Sequence, residues 1–283
     1  MKKLFTFLFI GSMIASCSND EVNEINEPET AADLETQVAE GLYDNSNLGI
    51  YEGVFTTLDG QLRATVLIEI DGKSEPAASF FMQSGDVKAV KADKTSKSST
   101  ESIHFSGEDF SFDFSVEENG SDPVVSNVTY MGKEGDVMII KETSKAPVSP
   151  RTGTYWCLDC DTHPDLGAGK SQTFNAILVG GIDNPESDWE FQFTLGSDIF
   201  YGSAEQSNCD GAFGLTTCEV DGQGSGDSGP FYITGSHTYF SGNDTDSCSR
   251  IEGNIVYDSK FDNLDSELSF ETDGPVGEDG NCP

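Results

Sequence analysis

From residue 48 onward, apolar and polar residues alternate with a period of two. In "RATVLIEI" (63–70), Ala64, Val66, Ile68 and Ile70 share one face. In "FSFDFSV" (110–116), Phe110, Phe112, Phe114 and Val116 point one way, and Ser111, Asp113 and Ser115 the other. Trp189, Phe191, Phe193 and Leu195 repeat the pattern, as do Leu264, Leu268 and Phe270. Such alternation marks strands with one buried and one wet face. Turn-forming pairs punctuate it: Asp59-Gly60, Asp71-Gly72, Asn119-Gly120, Gly180-Gly181 and Asp221-Gly222. Short strands with frequent turns predict an all-β fold of antiparallel units, barrel-like or sandwich-like. No long helical stripe follows residue 47.

Residues 18–47 read differently. They carry nine acidic residues and no basic one, which predicts a flexible acidic tether. Thr30-Ala31-Ala32-Asp33 fits a capping box, and Leu34 and Val38 sit four apart, so one short helix is expected within it.

A faint internal repeat divides the rest. "GIYEGVF" (49–55) matches "GTYWCL" (153–158), "MQSGDV" (82–87) matches "LGSDI" (195–199), "HFSGED" (104–109) matches "YFSGND" (239–244), and "NVTY" (127–130) matches "NIVY" (254–257). The order is kept while the offset grows. The repeat predicts two small β units, 48–146 and 147–283, joined near the proline-bearing "SKAPVSP" (144–150). The growing offset predicts a Gly-rich, disulfide-closed surface loop near 204–230 in the second unit.

The N-terminus carries an address. Lys2 and Lys3 precede an apolar run, Leu4 to Ile10, too short to span a bilayer as a helix. A basic head, a short apolar stretch and small residues describe a secretory signal over residues 1–16. Ile14-Ala15-Ser16-Cys17 resembles the lipobox of bacterial lipoproteins. The resemblance implies acylation of Cys17 and cleavage just before it. Ser18-Asn19-Asp20-Glu21 resembles the surface-export signal of Bacteroidetes-type lipoproteins. It implies a lipid-anchored protein of the outer membrane, facing the exterior, with the membrane reached through the lipid.

Charge narrows the partners. The chain has 50 acidic and 15 basic residues, a formal net charge of -35. Nucleic acid and anionic membrane surfaces need basic patches and are excluded. The acidity is uneven: residues 48–150 carry a net of -8 and residues 151–283 a net of -20.

Beyond Cys17, the cysteines are Cys157, Cys160, Cys209, Cys218, Cys248 and Cys282, all in the second half. In an oxidising compartment an even set reads as up to three disulfides. Cys209–Cys218 is the expected local bridge, because its loop is short and bounded by glycine. "CLDCDTH" (157–163) also spaces Cys157, Cys160 and His163 as zinc ligands would be, but the compartment favours disulfides.

Candidate chemistry is sparse. "GSGDSGP" (224–230) is similar to the nucleophile loop of chymotrypsin-like proteases. It lacks one glycine of that motif, and the family's histidine motif is absent, so it reads as a turn. "SGNDTDS" (241–247) groups Asn243, Asp244 and Asp246 as oxygen ligands for a calcium ion, set against the reading of a solvated acidic loop. Trp156, beside Cys157, is a candidate sugar-stacking aromatic, whereas Trp189 falls on the core face of its strand. Three histidines without partnering motifs offer little to acyl transfer, and four basic residues in 151–283 offer little to phosphate chemistry.

The reading is therefore non-catalytic: a surface binding or interaction module for a glycan or another extracellular ligand, such as a protein. The alternatives are a hydrolase with a carboxylate or metal site and a structural envelope lipoprotein. The lipobox generates a direct expectation. The wild-type protein should partition into detergent and be protease-accessible on intact cells, because two or more acyl chains anchor stably. Cys17→Ala should release it or leave it unprocessed; continued fractionation with the outer membrane would exclude lipidation at Cys17.

Overall fold

The computed structural model describes residues 39–93, 102–157, 171–181, 184–196, 198–212, 215–227, 229–240, 250–258 and 265–272. Every regular element among them is a β-strand. The strands form two closed antiparallel barrels of eight, each running up and down in chain order.

Barrel 1 comprises β1 (Gly49–Thr57), β2 (Arg63–Ile70), β3 (Ala77–Met82), β4 (Val87–Ala92), β5 (Ile103–Ser106), β6 (Phe110–Ser115), β7 (Val124–Tyr130) and β8 (Lys133–Lys141). The last strand pairs back onto the first, with Gly53 opposite Ile139. Barrel 2 comprises β9 (Val148–Cys157), β10 (Ser171–Val179), β11 (Asp188–Leu195), β12 (Asp198–Ala212), β13 (Leu215–Gly226), β14 (Gly229–Phe240), β15 (Arg250–Asp258) and β16 (Asp265–Thr272). It closes where Phe270 of β16 meets Tyr155 of β9.

Alternation decides what fills each barrel. The inward residues of β1, β3, β5 and β6 include Tyr51, Phe55, Phe80, Phe105, Phe110, Phe112 and Phe114, all fully buried. Their rings interlock: Phe80 stacks on Phe110 at 3.9 Å between centroids, and Phe105 on Phe112 at 4.7 Å. Eight strands leave an interior just wide enough for side chains to fill. Each buried ring stabilises the fold by about 2 kcal/mol. Barrel 2 repeats the device with Tyr155, Phe174, Phe191, Phe193, Phe200, Phe231 and Phe270. Outward positions such as Asp188, Glu205 and Asp221 are exposed carboxylates. Apolar inside and charged outside is the reverse of a membrane-spanning barrel.

The internal repeat falls largely on equivalent strands. "GIYEGVF" and "GTYWCL" lie on the opening strands β1 and β9, and Tyr51 and Tyr155 both point inward. "MQSGDV" and "LGSDI" span the β3–β4 and β11–β12 turns, and "NVTY" and "NIVY" lie in β7 and β15. "HFSGED" and "YFSGND" do not correspond: the first spans β5–β6, while the second begins in β14.

Residues 204–230 are not a surface loop. They run through β12, β13 and into β14. The growth in offset is absorbed by strands of 15, 12 and 12 residues. The glycines that suggested a loop alternate: Gly222, Gly224 and Gly226 share one side of β13, where Ala204, Phe231 and Phe200, respectively, occupy the space a side chain would take. "GSGDSGP" is the β13–β14 hairpin, with Gly226 opposite Gly229 and Asp227 in the turn. Cys209 and Cys218 do form a disulfide, across a register shift between β12 and β13. Asn208, at φ 47°, supplies the bulge. By loop-closure entropy the bridge contributes about 3 kcal/mol. Cys157 is also disulfide-bonded; Cys160, Cys248 and Cys282 lie outside the described residues.

The linker is shorter than expected, since Pro150 lies inside β9. It sits where β9 pairs with β10 alone, because β16 pairs only with residues 153–157, so its missing N–H interrupts no ladder on that side. The tether is not wholly free either. Lys141 Nζ donates to the carbonyl oxygens of Tyr43 (2.7 Å) and Leu48 (2.9 Å), and to that of Ser46. Asp44 accepts the Ser144 N–H at 2.9 Å. Residues 39–48 therefore form a strap on barrel 1. The expected helix lies mostly in residues 30–38, outside the described residues.

The two barrels meet side by side. Val54, Met138 and Ile140 of barrel 1 pack against Val148, Ile177 and Val179 of barrel 2. Polar contacts flank this patch. Thr173 Oγ1 donates to the Gly60 carbonyl at 2.9 Å, Gln192 Nε2 donates to Asp136 at 2.6 Å, and the Tyr201 hydroxyl donates to the same carboxylate. Burial pushes Asp136 up from the ordinary carboxylate range, against the pull of those two donors.

The alternating glycines generate a test. At Gly224 a Cβ would meet the Tyr201 carbonyl at 2.1 Å and Phe231 at 2.4 Å. Gly224→Val should cost about 3 kcal/mol or more by overpacking. The outward Ser225→Val should stay within about 0.5 kcal/mol. Urea unfolding reads both; equal, small effects would mean that the segment does not line a packed barrel.

Candidate functional site

Strand register sets out the outer face of barrel 2 as rows of side chains. One row runs Glu190, Ser203, Gln223, Tyr232 and Val256 across β11 to β15. The next runs Asp188, Glu205, Asp221, Thr234 and Asn254. Directly opposed side chains on one face lie roughly 5 Å apart, so each row is a continuous strip.

Where the rows cross β11, β12 and β13 the surface is concave. A cavity of about 470 Å³ is lined by Asp188, Glu190, Ser203, Glu205, Asp221 and Gln223. Its floor is backbone at Gly222 and the small Ala204. Glu190 is half-buried, and burial first, then Asp188, pushes its carboxyl above the ordinary range. Tyr232 stands at the rim, 51% exposed and next to Gln223 in the register. Beyond it Val256 is 42% exposed. Tyr201 is also on this face, but its hydroxyl is committed to Asp136 of barrel 1.

This arrangement combines an open aromatic face with carboxylate, amide and hydroxyl groups along one strip. An aromatic ring stacks on apolar C–H surface while the polar groups accept and donate hydrogen bonds. A second cavity, of about 640 Å³, follows the β6–β7 connection from Ser115 to Asp122. It is formed by one loop, so no groups from separate elements converge there.

The polar residues inside barrel 2 form a different kind of cluster. His237 is fully buried and its Nδ1–H donates to Gln206 Oε1 at 2.5 Å. Trp189 meets its ring edge-on at 4.9 Å, and the Tyr239 ring lies tilted against it, also at 4.9 Å. Burial first, then the positive charge of buried Arg151, pushes His237 down to about 3. The imidazole is therefore neutral and tied into the core. His104 instead sits on the surface with its Nδ1 2.7 Å from Asp113.

Of the residues singled out in the sequence, Trp156 is half-buried on the outer face of β9, opposite Ser269. It shares that face with Tyr232 but lies three strands away, about 14 Å at ordinary strand spacing, and does not line the cavity. Trp189 is core. Cys17, Asn243, Asp244, Asp246 and His163 lie outside the described residues. Among the described residues, no group of three His, Cys, Asp or Glu side chains is placed to hold a metal.

Tyr232, Gln223, Ser203 and Glu190 were missed in the sequence. For Gln223 the signal was available: in "DGQGSG" the polar residues alternate with glycine, so they occupy one face of a strand. Glycine content masked the period. Comparison with protein-family models, with curated proteins and with solved structures finds no match.

Proposed function

We propose that this chain is a lipid-anchored surface module that binds a glycan without turning it over, on the outer face of barrel 2. The observation that supports it is the strip from Glu190 to Tyr232, where an exposed ring borders a cavity of hydrogen-bonding side chains. A pyranose stacked on Tyr232 would bring its hydroxyls over Gln223 and Ser203. The strands of this face also pack the barrel core, which limits the ordering entropy lost on binding. The lipobox at Cys17 and the acidic residues after it support an address on the cell surface.

One observation favours a hydrolase instead. Glu190 holds its proton more tightly than an ordinary carboxylate, and Asp188 lies beside it, an environment in which a general acid and its partner carboxylate can divide their roles.

A panel of neutral and acidic oligosaccharides, read by calorimetry, tests both readings. Neutral sugars should bind. Tyr232→Ala and Gln223→Ala should each weaken binding by about tenfold, equivalent to about 1.4 kcal/mol, with unchanged unfolding midpoints. Hydrolysis of any panel member, lost in Glu190→Gln, would replace the binder with the hydrolase.

A further inference from the structure

The strip on barrel 2 has two ends and two sides, and these bound what can lie on it. Its row runs Glu190, Ser203, Gln223 and Tyr232, one residue from each of β11 to β14. Past Glu190 the next residue in the row is Ile177 of β10, fully buried with Val54 of barrel 1. Barrel 1 therefore walls off that end. Past Tyr232 the row reaches Val256, whose side chain has no hydrogen-bonding group.

On one side the neighbouring row is Gln192, Tyr201, Ser225 and Pro230. Gln192 and Tyr201 donate to Asp136 of barrel 1 and are committed there. On the other side the row is Asp188, Glu205, Asp221 and Thr234. Its three carboxylates are exposed, and among the described residues no ion pair takes up any of them. The cavity is lined from this row and from the strip itself. The open length of the site thus runs across the strands.

Spacing sets the unit. Neighbouring strands lie about 4.8 Å apart, close to the length of one pyranose in an extended chain. A single sugar stacked on Tyr232 reaches Gln223 and Ser203, but Glu190 lies three strands from the ring, about 14 Å away. Only a chain covers both.

We propose that the strip holds an extended segment of a linear glycan free of acidic groups, about four sugars long, laid across β11 to β14 with about one sugar to each strand.

The proposal rests on the glycan reading above and adds the ligand's length, direction and charge. Tyr232 supplies stacking at one end. Gln223 and Ser203 donate and accept in the middle. Glu190 accepts from sugar hydroxyls at the far end, as do Asp188 and Glu205 beside it, and bonds to a charged acceptor are the stronger kind. The same carboxylates repel uronic acids and sulfated sugars. No described cation on this face offsets them: the described Lys and Arg residues of barrel 2 are Arg151, which is buried, and Arg250, which pairs with Glu252 and Glu271.

Calorimetry on the intact chain tests this with gluco-, xylo-, manno- and galacto-oligosaccharides from monomer to hexamer. In any series that binds, affinity should rise about tenfold from dimer to tetramer and change by less than about twofold beyond the pentamer. A dimer that binds as tightly as the hexamer, or an affinity still climbing at the hexamer, overturns the inference and leaves the glycan reading standing. No binding in any series overturns both. Glu190→Ala should weaken the tetramer by about fivefold, the loss of one hydrogen bond to a charged group, and leave the dimer unchanged. Tyr232→Ala should weaken both. Equal losses at the two lengths for Glu190→Ala would contradict a chain laid across the strands. A tetramer of galacturonic acid should bind about tenfold more weakly than the tightest neutral tetramer at low salt, and the gap should narrow as salt rises. Equal or tighter binding of the acidic chain also overturns the proposal.

Discussion

Everything in this molecule depends on closing a sheet of eight strands around its own side chains. Closure abolishes sheet edges, but it also fixes the interior volume, and every second residue of every strand must share it. The chain meets that constraint with aromatic rings, and with glycine wherever a ring from a neighbouring strand needs the room. Gly224 beneath Phe231 and Gly226 beneath Phe200 are the clearest cases. In barrel 1, Gly53 does the same for backbone: a Cβ there would meet the Met138 carbonyl at 2.1 Å.

Because the interiors are full, chemistry is displaced to the outsides. On barrel 1 the outer face is used for assembly: it receives the strap through Lys141 and Glu142, and barrel 2 through Val54 and Asp136. On barrel 2 the face between β11 and β15 remains open to solvent, and it is there that carboxylates, an amide and a tyrosine stand side by side. The uneven charge along the sequence matches this division of labour. Arg151 and His237 show the opposite outcome, polar groups drawn into a barrel, with the imidazole bonded to Gln206 and kept neutral by burial and by the guanidinium.

Much of the fold was legible because period-two alternation survives wherever the inward residue is large. The runs at Phe110–Phe114 and Trp189–Leu195 identified strands β6 and β11 and their buried faces, and Tyr51 and Tyr155 aligned the first strands of the two barrels. Legibility failed where the inward residue is glycine, since alternation of glycine with polar residues has the composition of a loop. That single confusion concealed β13 and, with it, the strip through Gln223. The Cys209–Cys218 bridge was readable from its short spacing, whereas the Asn208 bulge that accommodates it was not, because register is a property of two strands.

The central claim is that ligand is met on the outside of a packed barrel rather than within it. Backbone amide shift mapping of the protein, titrated with neutral oligosaccharides, addresses it directly. The account predicts perturbations confined to the strip through Ser203, Gln223 and Tyr232, with Phe193, Phe231 and His237 unmoved. Perturbations centred on His237 and the inward residues around it, or none with any sugar, would contradict it.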